Sequence, residues 1–251
     1  MIPFTINRKN VLQWLLFGLK ELYRIVLAVV LRAPSRELEV TRTVERLANI
    51  GDPKSVLEVM DQFAQERRFL MNVGIEKGMV LRQAVSIHGA SRALELGAYC
   101  GYSAVLLGAE LKKVGGTLVS LEASPTNAAM ARRVVGHAGL EDVVDIRVGT
   151  AAEGIELLKG RFDLIFIDHL KDVYLSDLKR IEDAGLLEDG ALVIADNVGI
   201  FSGTLCDYLE YVRSSPNYQS THHALPMEYN DAIQDGIEVS IWTQPAQCAT
   251  A

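Results

Sequence analysis

Two acids and a carboxamide stand where apolar runs end. Phe162-Asp-Leu-Ile-Phe-Ile167 closes on Asp168, with Lys171 three residues further on, and Ala191-Leu-Val-Ile-Ala195 closes on Asp196 and Asn197. Both runs are short and lack a helical period, which predicts strands buried on both faces. In an open parallel sheet ligands sit at the carboxyl ends of strands, so neighbouring strands would bring Asp168, Asp196 and Asn197 to one rim. All three offer hard oxygen donors, a chemistry that suits Mg²⁺. Asp and Asn also end strands and open turns for purely structural reasons. Two such endings in one sheet, one with a lysine beside it, favour a site.

A second pattern concerns a cofactor. Arg92-Ala-Leu-Glu-Leu-Gly97 reads as the first strand, running into Ala98-Tyr-Cys-Gly-Tyr-Ser103 and a helix that continues through Leu111. Gly97 and Gly101 permit a tight turn and a close backbone approach to a ligand, and the helix start offers free N–H groups to an anion. The spacing is G-x-x-x-G, so the dinucleotide fingerprint G-x-G-x-x-G is absent. Residues 117–122 form the expected second strand, ending in Glu122, which can accept hydrogen bonds from both hydroxyls of a ribose. The pair indicates a nucleoside-bearing cofactor, a signal that many α/β folds share.

The elements that must carry these residues follow from the rest of the chain. With 251 residues and 49% hydrophobic content, the chain can build one large α/β domain. A formal charge of −7 argues against a nucleic-acid partner, because phosphate binding needs clustered Lys and Arg. Cys100, Cys206 and Cys248 show no C-x-x-C spacing and are expected as free thiols in a reducing compartment. Helices are expected over residues 37–49, 55–70 and 76–87, ahead of the first strand and able to fold over the ligand edge. Further helices are expected over 124–137, 151–159, 174–184 and 203–213, a third strand over 143–148, and last strands over 222–225 and 237–242 with Glu228 on the turn between them.

Residues 10–32 are strongly apolar yet contain Lys20, Glu21 and Arg24, and the uncharged run 10–19 is too short to span a bilayer. At a helical step of about 100° the polar residues Asn10, Gln13, Lys20, Glu21, Arg24 and Arg32 share one stripe with Trp14, Phe17, Ala28 and Leu31. Such a helix can lie in a membrane interface with its broad apolar face down, flanked by Arg8, Lys9, Arg32 and Arg36. Spanning would bury three charges at about 2.5 to 3.5 kcal/mol each, so lying flat is favoured. Packing on the catalytic domain is the competing reading. The division expected is a membrane-associated helix at 1–36, a catalytic domain at 37–243 and a flexible tail at 244–251.

From Gly51 to about Trp242 the chain resembles the catechol O-methyltransferase family. The match is carried by Gly51-Asp-Pro, Met71-Asn-Val-Gly74 with Lys77-Gly78, Leu94-Glu-Leu-Gly-Ala-Tyr-Cys-Gly-Tyr-Ser103, Asp168-His-Leu-Lys-Asp172 with Tyr174, Ala195-Asp-Asn-Val198 and Glu228-Tyr229. The resemblance implies a Rossmann-like class I methyltransferase fold with a seven-stranded, mostly parallel sheet and helices on both faces. It also implies S-adenosylmethionine as donor and Mg²⁺-dependent methylation of one catechol hydroxyl. Asp168, Asp196 and Asn197 then resemble metal ligands, Lys171 a general base, and Glu228 the carboxylate that holds the second hydroxyl beside Asn197. Glu122 resembles the ribose ligand. Glu95 and Ser103 would contact the methionine part, and Val73 would offer backbone groups there. Gly97, Tyr99, Tyr102, Ala151, Asp168 and His169 complete the expected cofactor site, His169 as a wall of the adenine pocket. A small-molecule acceptor, a monomer, and a cytoplasmic but membrane-associated location are expected.

Departures from the family pattern bear on the acceptor. Leu170 and Phe69 stand where tryptophan is usual, and Ala151 and Ala152 replace polar residues that usually touch the adenine. The loop 199–207 lacks the usual proline and places Phe201 near the pocket mouth, so larger apolar catechols are expected to be preferred. A related enzyme acting on other vicinal diols, or a membrane-associated partner that keeps the fold without the activity, are the alternatives.

Overall fold

Leu164 and Phe166 face one side of a sheet and Ile165 and Ile167 the other, and all four are fully buried. Alternation with both faces covered is the structural meaning of a continuous apolar run, and each such side chain stabilises the fold by about 1.5 to 3 kcal/mol. The computed structural model describes residues 11–245. Arg8, Lys9 and Asn10, the tail from 246 and Cys248 lie outside the described residues.

Seven strands form one sheet: β1 (Arg92–Leu96), β2 (Thr117–Glu122), β3 (Val144–Val148), β4 (Phe162–Ile167), β5 (Leu187–Ala195), β6 (Tyr218–Met227) and β7 (Asn230–Trp242). Their order is β3-β2-β1-β4-β5-β7-β6, parallel except that β7 runs against both of its neighbours. The chain reverses its direction of winding between β1 and β4, which opens a crevice at their carboxyl ends.

Helices α2 (Arg36–Leu47), α3 (Pro53–Glu66), α4 (Gly74–Ser86), α5 (Tyr102–Lys113) and α6 (Pro125–His137) pack on the Leu164 side. Helices α7 (Ala151–Glu156), α8 (Tyr174–Asp183) and α9 (Cys206–Ser214) pack on the Ile165 side. Their starts are set locally. Ser35, Asp52 and Ser124 accept backbone N–H groups at the first turns of α2, α3 and α6, and proline opens the last two of these helices.

The seven-stranded, mostly parallel sheet with helices on both faces is as the sequence predicts. Several boundaries differ. α3 stops at Glu66 rather than near 70, α7 at Glu156 rather than 159, and α9 starts at Cys206 after a series of turns rather than at 203. β6 and β7 are much longer than expected, because the Asp235-Gly236 pair, a turn signal in sequence, lies inside the ladder opposite Leu225 and Ala224.

The N-terminal helix α1 (Val11–Val30) does pack on the catalytic domain. Its polar and aromatic stripe turns inward: Trp14, Phe17, Phe69 and Tyr229 form successive edge-to-face contacts, and Arg24 donates to the Gln65 carbonyl at 3.3 Å. The broad apolar face points outward, with Leu12, Leu15, Leu19, Leu22, Val26 and Val29 all at least half exposed. Among the described residues no helix is long and apolar enough to cross a membrane.

Candidate active site

The carboxyl ends of β4 and β5 place Asp168 and Asp196 on adjacent strands, as their spacing predicts. Lys171 opens a single 3-10 turn (Lys171–Val173), and its Nζ donates to Asp168 Oδ1 at 2.8 Å and to the Tyr174 hydroxyl at 2.7 Å. Tyr174 is fully buried at the start of α8 and donates in turn to the Asp196 carbonyl. Asn197 adopts a left-handed backbone, φ 60°, and its Nδ2 donates to Asp235 Oδ2 at 3.1 Å, leaving its carbonyl oxygen for another partner. Asp235 also accepts the Gly199 and Ile200 N–H groups, which ties down the loop after β5. Glu228 lies on the β6–β7 turn and is buried.

Lys77 of α4 joins these groups from below. Its Nζ, 1% exposed, sits 2.8 Å from Asp196, 3.1 Å from Glu228 and 2.6 Å from Asp235. Burial alone would push this ammonium down, but Asp196, Glu228 and Asp235 together hold it well above the usual lysine range. Burial pushes the carboxyls of Asp196 and Glu228 up and neighbouring carboxylates, Asp235 above all for Glu228, add to the rise, against the pull of the Lys77 ammonium. Two lysines, Lys77 and Lys171, thus face four carboxyls, more acidic groups than they can pair, a surplus that a divalent cation would offset. Asp196 Oδ2 is moreover buried without a hydrogen-bond partner among the described residues. Two carboxylates and an amide oxygen, one carboxylate oxygen of them buried and unpaired, therefore fit a divalent ion. Among the described residues no three or more His, Cys, Asp or Glu side chains are grouped as a metal cluster, the set here being two carboxylates and an amide.

Several residues expected at the cofactor stand at or just beyond the carboxyl ends of β1, β2 and β4. Glu122 Oε2 accepts the Tyr99 N–H at 2.8 Å and Oε1 the Ser124 N–H at 2.9 Å. Tyr99 has φ 46°, a strained value for tyrosine, and its hydroxyl donates to Glu37 of α2. Glu95, with no exposure, accepts from Ser120 and Ser103, while its Oε1 has no partner among the described residues. Burial raises its carboxyl from 4.5 to about 7. His169 donates or accepts at Asp177 through Nε2, stacks on Tyr174, and leaves Nδ1 unpartnered among the described residues. Val73 caps α4 and is buried with Gly74 close against Glu228.

Three expectations change in detail. Gly97 has φ 100° and would place a Cβ against the Asp168 carbonyl oxygen, so its freedom serves a close approach of β1 to the β4 end as well as any ligand. The Tyr102 hydroxyl is committed to Asp61 at 3.2 Å, which also accepts from Tyr229, so Tyr102 can serve a cofactor only through its backbone. The Ala151 side chain belongs to the apolar core, so it too offers backbone alone.

Lys77 and Asp235 have no assigned role in the sequence reading. A signal existed for Lys77, which shares the buried face of α4 with Leu81 and Val85 at helical spacing. Asp235 was hidden by its Asp-Gly context.

A sheet that reverses its winding at β1 and β4, an acid closing β2 and a charged rim at β4 and β5 define the class I methyltransferase architecture. The O-methyltransferase family model matches residues 47–241, and the chain belongs to that family. It is 42% identical to catechol O-methyltransferase B of Danio rerio over 213 residues, covering 83% of this chain and 79% of the relative. Catechol O-methyltransferase of Mus musculus is 39% identical, covering 84% of this chain and 80% of the relative. Transmembrane O-methyltransferase of Homo sapiens is 33% identical, covering 78% and 68%. An O-methyltransferase from Bacillus cereus, solved with S-adenosylhomocysteine, shares the fold with a TM-score of 0.64 at 24% identity, covering 80% of this chain and 91% of that one. The chain is thus an S-adenosylmethionine-dependent methyltransferase.

Proposed function

We propose that the protein transfers the methyl group of S-adenosylmethionine to one hydroxyl of a catechol, with Mg²⁺ held by Asp168, Asp196 and Asn197. The observation that carries this reading is the buried Asp196 carboxyl, whose Oδ2 has no partner among the described residues although it sits beside Lys77 in a cluster with more carboxyls than lysines. The cation, when bound, acidifies a coordinated hydroxyl. Lys171, held by Asp168 and Tyr174, takes that hydroxyl's proton at Nζ once its own ammonium has released one. Glu228, fixed by Lys77, accepts a hydrogen bond from the adjacent hydroxyl, which explains why a vicinal diol is required. Asn197 steadies the same hydroxyl pair. Glu122 receives the ribose hydroxyls, and Glu95 with Ser103 receives the methionine part while Val73 lends backbone groups. Tyr99, Tyr102, Gly97 and Ala151 line the donor site through backbone, and His169 walls the adenine.

Methyl transfer to a phenolate needs no acid for the leaving thioether. The rate gain then rests on alignment, a contribution that can reach about 7 to 11 kcal/mol. Rates with a catechol and with its monophenol, each with Mg²⁺ or EDTA, test the reading: only catechol with Mg²⁺ should turn over. Undiminished turnover in EDTA, or equal rates with the monophenol, overturns it. The high relatedness to two catechol O-methyltransferases supports the acceptor class. The outward apolar face of α1 supports a second reading, that the full chain rests on a membrane interface while its catalytic domain stays in water.

A further inference from the structure

Glu228 is bracketed by two residues that lead away from the reacting hydroxyls. Met227, buried, clusters with Ile200 and Ile233, and Trp14, Phe17, Phe69 and Phe201 pack around these three. Tyr229, on the other side, meets Phe69 edge-on at 6.4 Å, and Phe69 meets Phe17 at 5.2 Å. At the near end of this cluster the Phe201 ring lies 5.7 Å from Lys171 Nζ. At the far end Phe17, Phe69 and Tyr229 wall a partly open cavity of about 310 Å³ between α1 and the catalytic domain, lined also by Lys20, Glu21 and Arg24. That volume is at the lower end of ligand-pocket sizes.

We propose that α1 is a wall of the acceptor pocket: Phe17, backed edge-on by Trp14 at 6.3 Å, receives an apolar substituent carried on the catechol ring and so sets which acceptors are preferred. This rests on the acceptor site proposed above and extends it to residues outside the family-matched region, which begins at residue 47. The geometry gives the helix two separate duties. Its inner stripe meets a ligand and its outer face meets the surroundings, so the aromatic residues belong to the site rather than to an anchor.

The test uses the full chain with Trp14→Leu and Phe17→Leu together, which keep the helix apolar. The kcat/KM ratio of 4-hexylcatechol to unsubstituted catechol should fall about tenfold, mostly through KM, as expected for loss of aromatic contacts with the chain. Leu12→Ser with Leu19→Ser on the outer face should keep the wild-type ratio. In parallel, a Trp242→Phe background leaves Trp14 as the sole tryptophan, and its fluorescence should change saturably with 4-hexylcatechol. A ratio unaltered by the inner pair, an equal fall in the outer pair, or a silent Trp14 overturns the proposal. Absence of any methylation with a responsive Trp14 would instead sink the catechol methyltransferase reading and leave the wall standing.

Discussion

Replacing Glu95 with glutamine separates the electrostatics of the donor site from its shape. Glu95 lies in β1 between Ser120 of β2 and Phe166 of β4, with no exposure to water. Burial lifts its carboxyl from 4.5 to about 7, with Ser103 and Ser120 resisting and Asp168 and Glu122 adding to the rise. Between these two values the folded protein holds a proton that the unfolded chain has released, so stability falls as pH rises across that window. A difference of about 2.5 pH units corresponds to about 3 kcal/mol, reached near pH 7 and constant above it. Glu95→Gln lacks this slope. Urea denaturation without donor should therefore show the stability of the variant relative to wild type growing by about 3 kcal/mol from pH 4.5 to pH 8. The same carboxylate should pair with the ammonium of the bound donor. At pH 5, two units below its value near 7, about one protein in a hundred has Glu95 ionised, so calorimetric donor affinity should be about 100-fold weaker than at pH 8. In Glu95→Gln it should be weak at both. Parallel stability profiles for the two proteins, or a wild-type donor affinity flat from pH 5 to pH 8, would refute the reasoning.

Lys77→Met should destabilise the protein by about 3 to 5 kcal/mol, since Asp196, Glu228 and Asp235 lose their shared cation in a buried site. Added Mg²⁺ should restore part of that loss, and a change below about 1 kcal/mol by chemical denaturation would contradict the role. Gly97→Ala should cost at least about 2 kcal/mol from its left-handed φ and the clash with the Asp168 carbonyl, and kcat should drop further than the folded fraction does. The full chain should pellet with anionic liposomes and a protein starting at Glu37 should not; equal partitioning of both ends the membrane reading.

The sheet and its acidic rim were legible because they rest on local patterns. Apolar runs closing on Asp168, Glu122 and Asp196-Asn197 need only strand period and strand-end chemistry, and the parallel order places them together. Glu228 was legible only through resemblance, since nothing local distinguishes a turn carboxylate from a ligand. Asp235 escaped because Asp-Gly means a turn in isolation, whereas here the pairing of β6 with β7 overrides it. The face that α1 turns inward could not be read from its own periodicity. A helical wheel separates two faces, but which one is covered depends on Phe69 and Tyr229, more than fifty residues away in sequence.

The close approach of Gly97 to the Asp168 carbonyl has a mechanical consequence. Gly97 follows β1 and Asp168 follows β4, so the turn expected at the donor and the acid expected at the cation are pinned to each other by main chain. Their spacing is set by covalent geometry and a sheet hydrogen bond, Asp168 N–H to Leu96 carbonyl at 2.9 Å, rather than by rotatable side chains. Changes in outlying side chains can therefore leave that spacing as it is.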